Sequence, residues 1–222
     1  MIEKFFLLLQ EALQVKKIHF SESQIQLFVR HYELLLKWNE KVNLTSVIDP
    51  QQAVWLHFID SLLFVETEKF QVLHKTVVDI GSGAGFPGIV MAIACPQLTF
   101  LLFDSNAKKT MFLKNVVSEL DLKNVKVIHQ NIKEYIQQKK KKFDIAVARA
   151  LMPWPQWCEI AKKIISDDGV FFLTFGRNPP SMDEIKNTAR LKEKDHLIEK
   201  YHFDLEGVSH QRTLFSIQKI LR

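Results

Sequence analysis

The chain has little cysteine, no long apolar run and no internal repeat. Its two cysteines, Cys95 and Cys158, have no second cysteine or histidine at ligand spacing, so a disulfide framework or a zinc site is not expected, and a reducing cytoplasm fits. Residues 2–15 are rich in Phe and Leu, but Glu3, Lys4 and Glu11 interrupt them and no small-residue cleavage site follows. Neither a signal peptide nor a membrane span is therefore expected. The absence of repeats excludes a solenoid, and the only low-complexity run is Lys139–Lys142, a solvated connector by composition.

What is present is enough apolar material, 47% of 222 residues, for one full domain with a small appendage. The net charge of +5 leans weakly toward a polyanionic partner. The first seventy residues read as helical. Ser21 and Gln24 form a capping box ahead of Ile25, Phe28, Val29, Tyr32, Leu35, Leu36 and Trp38 at helical spacing, and a further helix after Pro50 carries Val54, Trp55, Phe58, Leu62 and Phe64. From residue 71 onward, short apolar runs at Thr76–Ile80, Thr99–Phe103, Val125–Ile128, Phe143–Val147 and Val170–Phe175 alternate with helical stretches. That alternation predicts an α/β, doubly wound, mostly parallel sheet preceded by a helical extension over 1–70. In the tail, a helix over Met182–Leu191 and a closing antiparallel pair, Leu197–Phe203 with Thr213–Ile220, are expected.

The chemistry concentrates in Val78–Gly88, an apolar strand breaking into a glycine-rich turn. Gly81, Gly83 and Gly85 give G-x-G-x-G behind Asp79, while Gly83, Gly85 and Gly88 also satisfy the dinucleotide fingerprint, so spacing alone leaves two cofactor classes open. Either places an adenosine-containing ligand at the loop, with Asp104 closing the next strand where a carboxylate accepts ribose hydroxyls. Pro87 removes one N–H donor from the helix start that would cradle a pyrophosphate. That feature, with Asp79 ahead of the first glycine, favours a methyl donor without phosphate. Arg149, ending the fourth strand, is a site candidate and the one tentative catalytic residue, and Lys108 and Lys109 are candidate phosphate contacts. Asn178-Pro179-Pro180 follows the fifth strand and is followed by Ser181 rather than an aromatic, so it reads as a loop breaker rather than an amino-methyltransferase motif.

Two stretches carry a family resemblance. Trp38-Asn39, Asn43-Leu44-Thr45-Ser46-Val47, Asp49-Pro50, His57 and Asp60-Ser61 form the first; the glycine loop with Leu102-Phe103-Asp104-Ser105, Lys108-Lys109, Phe112-Leu113 and Arg149-Ala150 forms the second. Together they resemble the bacterial small-subunit ribosomal RNA methyltransferase G family, the guanine-N7 methyltransferases also called glucose-inhibited division protein B. The resemblance implies a Rossmann-like methyltransferase sheet, S-adenosyl-L-methionine as donor and a guanine in the 530 loop of 16S ribosomal RNA as acceptor, within the small subunit. It implies cofactor contacts at Gly81, Ser82, Gly83, Gly85, Phe86, Asp104, Ile132, Lys133 and Arg149. RNA contacts would fall at Lys108, Lys109, Arg177 and Arg212. A cytoplasmic monomer without metal or membrane attachment is expected. Asn131-Ile132-Lys133-Glu134 departs from the usual Arg-Val-Glu-Glu, leaving a backbone rather than a carboxylate contact at Lys133.

Guanine N7 has a lone pair and no proton, so transfer needs no general base, and no acid–base pair is evident. Phe86, Trp154 and Asp144 are candidates for stabilising the cationic product. The N-terminal helices with His57 and Asp60 read as a lid or RNA platform, or as helix-to-sheet packing with a polar anchor. Rival readings are an NAD-linked oxidoreductase, a non-catalytic RNA-binding module and a small-molecule methyltransferase.

Overall fold

The computed structural model describes residues 1–222 except 139–140, 150, 192–194, 209 and 220–222, with Glu206 described by its backbone alone. Two helices open the chain, α1 (Ile2–Val15) and α2 (Glu22–Val42). Ser21 caps α2 as expected: its Oγ accepts the Gln24 N–H at 3.3 Å, and Gln24 Oε1 accepts the Ser21 N–H at 3.1 Å. The helix expected after Pro50 is interrupted. It runs as α3 (Pro50–Ala53), a π-helical turn (Val54–Ile59) and α4 (Asp60–Leu62), and Phe64 lies beyond its end. The wider π turn sits where Trp55, His57, Phe58 and Ile59 are all buried, so packing on nearly every side overrides the amphipathic period.

The strands β1 (Thr76–Ile80), β2 (Thr99–Asp104), β3 (Val125–His129), β4 (Phe143–Val147), β5 (Ile165–Phe175), β6 (His196–Leu205) and β7 (His210–Lys219) form one sheet in the order β3-β2-β1-β4-β5-β7-β6. Neighbours among β1–β5 pair parallel, and β7 runs antiparallel to both β5 and β6. The expected antiparallel closing pair is therefore present, and Ile220 lies outside the described residues. β5 begins five residues earlier than its apolar run, because Phe143 pairs with Ile165 before a register shift. The connecting helices are α5 (Gly88–Ala94), α6 (Ala107–Glu119), α7 (Ile132–Gln137), α8 (Trp154–Ile164) and α9 (Met182–Thr188). The last is a turn shorter than its pattern, with Leu191 still buried.

Alternation along the strands feeds two cores. Val77, Phe100, Leu102, Ile145 and Val147 meet α1, α2, α5 and α6 on one face, while Val78, Ile80, Phe103 and Ala146 meet α7, α8 and α9 on the other. Phe5 stacks on Tyr32 at 4.0 Å and meets Phe58 edge-on at 4.9 Å, so the N-terminal helices share the first core with the sheet. Of the lysine run, Lys139 and Lys140 lie outside the described residues; Lys141 and Lys142 are exposed. No described helix is long and apolar enough to cross a membrane.

Candidate functional site

Strand order reverses at β1, between β2 on one side and β4 on the other, and the carboxyl ends of those strands open a crevice there. The glycine turn after β1 is held by its own amides. Gly81 and Ser82 N–H donate to Phe103 O at 2.8 and 3.0 Å, and Gly85 and Phe86 N–H donate to Ser82 O at 2.7 and 3.3 Å. Gly83 N–H donates to Asp104 Oδ2 at 2.9 Å, and Gly88 N–H donates to Asp79 Oδ2 at 3.0 Å. Six amides of the loop are thus satisfied by the protein, two of them by carboxylates, and Pro87, joined to Phe86 by a cis bond, has none. Such a loop is no nest for a pyrophosphate.

The glycines divide by role. Gly81, Gly83 and Gly85 have φ of +73°, +56° and +87°, which side chains with a Cβ adopt at a cost. A Cβ on Gly81 would collide with Leu151, one on Gly85 would come within 2.7 Å of Ile89 Cγ1, and one on Gly88 within 2.6 Å of Asp79 Oδ2. At Gly83 the nearest atom would be Gly81 O at 3.7 Å, so this residue faces open space.

That space is a cavity of about 700 Å³. The glycine loop and Phe103 form its floor, Asp104, Ser105, Asn106 and Lys109 one wall, and residues 130–133 another. Asp104 Oδ1 accepts the Asn106 N–H at 2.8 Å, so each carboxylate oxygen holds one amide and keeps a second lone pair. Asn131 caps α7 through its Oδ1, which accepts the Lys133 N–H at 2.9 Å; that amide, expected as a ligand contact, already has a partner.

The roof comes from the N-terminal section, through Leu44 and Thr45 in the connection after α2 and His57 in the π-helical turn. His57 stacks on Phe86 at 4.4 Å and 14°, and His31 stacks on the same ring at 4.9 Å and 27°. Arg149 lies 5.4 Å from the Phe86 centroid and donates to Leu56 O (2.7 Å), Asp60 Oδ2 (3.1 Å) and His57 Nδ1 (3.3 Å). Because Arg149 only donates, His57 Nδ1 accepts and its Nε2–H donates to Thr45 Oγ1 at 3.0 Å. Arg212 Nε donates to the other Asp60 oxygen at 2.6 Å. Arg149 does line the cavity, but its guanidinium ties the roof to the sheet. Arg212, expected to meet RNA phosphate, has its Nε on a buried carboxylate.

Burial drives the titrations. It lowers His31 to about 4 and, with the nearby Arg149 charge, His57 to about 3, from an ordinary 6.5. It raises Asp79 from 3.8 to about 7 against the opposing Gly88 N–H and Arg149 charge, and Asp79 Oδ1 has no hydrogen-bond partner among the described residues. The histidines bind fewer protons folded than unfolded, so their contribution to stability is lost as pH falls below 6.5 toward those folded values. Asp79 has the opposite sign: between 3.8 and about 7 the folded form holds the extra proton, and stability rises as pH falls. Urea midpoints between pH 7 and 4 should therefore show acid destabilisation. His31→Phe should flatten it by up to about 1.4 kcal/mol per pH unit, and Asp79→Asn should steepen it by a similar amount. Unaltered slopes in both variants would contradict these assignments.

Several expected residues lie elsewhere. Lys108 is exposed on α6, its N–H and that of Lys109 both accepted by Asn106 Oδ1, and only Lys109 reaches the cavity wall. Arg177 is exposed on the connection after β5. Asp144 sits at the opposite edge of the sheet, where its Oδ2 accepts the Thr76 N–H at 2.7 Å and its Oδ1 pairs with Lys75, so it has no part in the site. Trp154 lines a neighbouring cavity, and Ala150 lies outside the described residues. His31 was not foreseen. A histidine within the stripe of Phe28, Tyr32 and Leu35 on α2 was the available signal.

A model of the family described as GidB, rRNA small subunit methyltransferase G, matches residues 24–213. The chain is 38% identical to the ribosomal RNA small subunit methyltransferase G of Mycoplasma capricolum over 165 residues, covering 74% of this chain and 68% of that protein. It is 31% identical to that of Clostridium botulinum strain 657 over 223 residues, covering 98% and 91%. Its fold is similar to that of M. jannaschii TYW2, solved in complex with AdoMet, with a TM-score of 0.54, 14% identity, and coverage of 72% of this chain and 77% of that one. It is also similar to SMU.1697c, a putative methyltransferase from Streptococcus mutans in complex with SAH, with a TM-score of 0.51, 14% identity, and coverage of 72% and 98%.

Proposed function

The chain belongs to the rRNA small subunit methyltransferase G family, and from that premise we propose that it transfers a methyl group from S-adenosyl-L-methionine to N7 of a guanine in the 530 loop of 16S ribosomal RNA. The observation that carries the choice of cofactor is the loop's amide pattern. Gly83 N–H is taken by Asp104 at the cavity and Gly88 N–H by the buried Asp79, and Pro87 has no N–H, so the turn leaves none of these positions to donate to a pyrophosphate. A ligand without phosphate asks for none of those donors, whereas a dinucleotide does.

Gly83 opens the cavity to the ligand, Asp104 accepts the ribose hydroxyls, and Ile132 with Lys133 borders the base; Ser82, Phe86 and Lys109 complete the surroundings. When bound, the cofactor supplies an electrophilic methyl group on sulfur. The guanine lone pair needs no deprotonation, and the one histidine in the wall, His57, has both nitrogens engaged and a depressed pKa. The protein therefore contributes orientation and exclusion of water, which together can supply on the order of 7–11 kcal/mol. The same reading implies a cytoplasmic monomer acting on RNA of the small subunit.

Tritium transfer from the methyl donor into 30S subunits of a strain lacking the enzyme, with mapping of N7-methylguanine, tests the activity; no incorporation would refute it. Calorimetry with S-adenosylhomocysteine and NADH tests the cofactor, and tight NADH binding would refute the loop assignment. Lys108→Ala should reduce the slope of log K against log salt for RNA binding by about 1 and leave cofactor affinity unchanged. An unaltered slope removes Lys108 from the RNA face.

A further inference from the structure

We infer that a second cavity beside the first receives the acceptor base, with Trp154 and Phe175 as its aromatic walls. The inference rests on the methyl-transfer function proposed above. An atom accepting a methyl group must approach the donor to about 3–3.5 Å, so the acceptor has to occupy space that opens onto the cofactor cavity. A cavity of about 230 Å³ meets that condition: it shares Leu151 and Met152 with the larger one. Leu151 stands directly over Gly81 and is 39% exposed, so together with Met152 it lines the boundary between the two spaces.

The chemistry of this second space is that of a flat aromatic ligand. Trp154 opens α8 and Phe175 closes β5, their ring centroids 6.1 Å apart at 75°. Leu173 and Trp157 complete an apolar lining in which Thr174 is the polar side chain among the described residues. Trp157 Nε1–H donates to Phe172 O at 2.7 Å, which fixes that ring as the back of the cavity. Trp154 is half-buried, and its ring nitrogen has no such anchor among the described residues. A base extruded from its stack finds aromatic faces here, and the cationic N7-methylated product would be held more tightly than guanine by the same faces.

The test uses the full chain with Trp154→Ala and Trp154→Phe. In the 30S transfer assay, Trp154→Ala should raise KM about tenfold, within the usual effect of removing one base–aromatic stack, while Trp154→Phe stays near wild type and S-adenosylhomocysteine affinity is unchanged in both. An unchanged KM in Trp154→Ala, or a parallel loss of S-adenosylhomocysteine affinity, overturns the base pocket while leaving the proposed function standing. If wild type itself transfers nothing to 30S subunits, the function fails and quenching decides the pocket. 7-Methylguanosine monophosphate should then quench tryptophan fluorescence more strongly than guanosine monophosphate does, and Trp154→Phe should lose that component. Equal quenching in wild type and variant would overturn the pocket.

Discussion

Gly83→Val is expected to lower S-adenosylhomocysteine affinity by at least a hundredfold while the protein remains folded. The reasoning separates ligand space from protein space within one motif. A Cβ at Gly83 meets nothing closer than Gly81 O at 3.7 Å, so the side chain starts into the open cavity, where the cofactor must lie, rather than into the core. The φ of +56° adds strain of about 1–2 kcal/mol for a β-branched residue, enough for a melting shift of a few degrees. Gly88→Ala, five residues on, should do the reverse. Its Cβ would collide with Leu102 and come within 2.6 Å of Asp79 Oδ2, so the first core is disturbed and loss of fold, rather than selective loss of ligand, is the expected result. Calorimetry beside thermal melts distinguishes the two. Retained affinity in Gly83→Val would remove the loop from the binding site.

The same contrast explains what could be read in the sequence. The glycine turn, the helix cap at Ser21 and the individual strands were legible because each depends on neighbours a few residues apart, and the strands' alternation with helices implied their parallel order. The amide pattern of the loop was not, although it bears on the choice of cofactor: it requires knowing that Asp104 returns beside Gly83, 21 residues away. Asp144 was misplaced for a simple geometric reason. Five residues upstream of Arg149 in an extended strand is roughly 16 Å away, and β4 runs parallel to β1, so Asp144 belongs to the edge where strands begin. The roles of Arg149 and Arg212 were hidden by distance along the chain, since both converge on Asp60 across 89 and 152 residues. Basic residues near an RNA enzyme's site read as phosphate contacts until the carboxylate between them is seen.

That carboxylate sets the second large expectation. Asp60 is 5% exposed and divides its oxygens between Arg149 and Arg212, so α4, the segment just beyond β4, and β7 meet on one side chain. Asp60→Asn keeps the volume but turns one oxygen into an NH2 donor aimed at a guanidinium, leaving a partly buried cation without a counter-charge. Breaking a fully buried pair costs about 3–5 kcal/mol. With the arginine side chains 19% and 24% exposed, solvent returns part of that, and about 2 kcal/mol is expected, a fall of roughly 4–8 °C in melting temperature for a chain of this size. Cofactor affinity should fall only a few-fold, because Arg149 keeps its bond to Leu56 O and its place over Phe86. In an Arg212→Met background the Asp60→Asn cost should shrink by about 1 kcal/mol, since the amide then faces one guanidinium instead of two. Additive costs in that double-mutant cycle, or a melting shift below about 2 °C for Asp60→Asn alone, would mean that the N-terminal helices are held over the cavity by apolar packing, with Asp60 contributing no more than a surface pair.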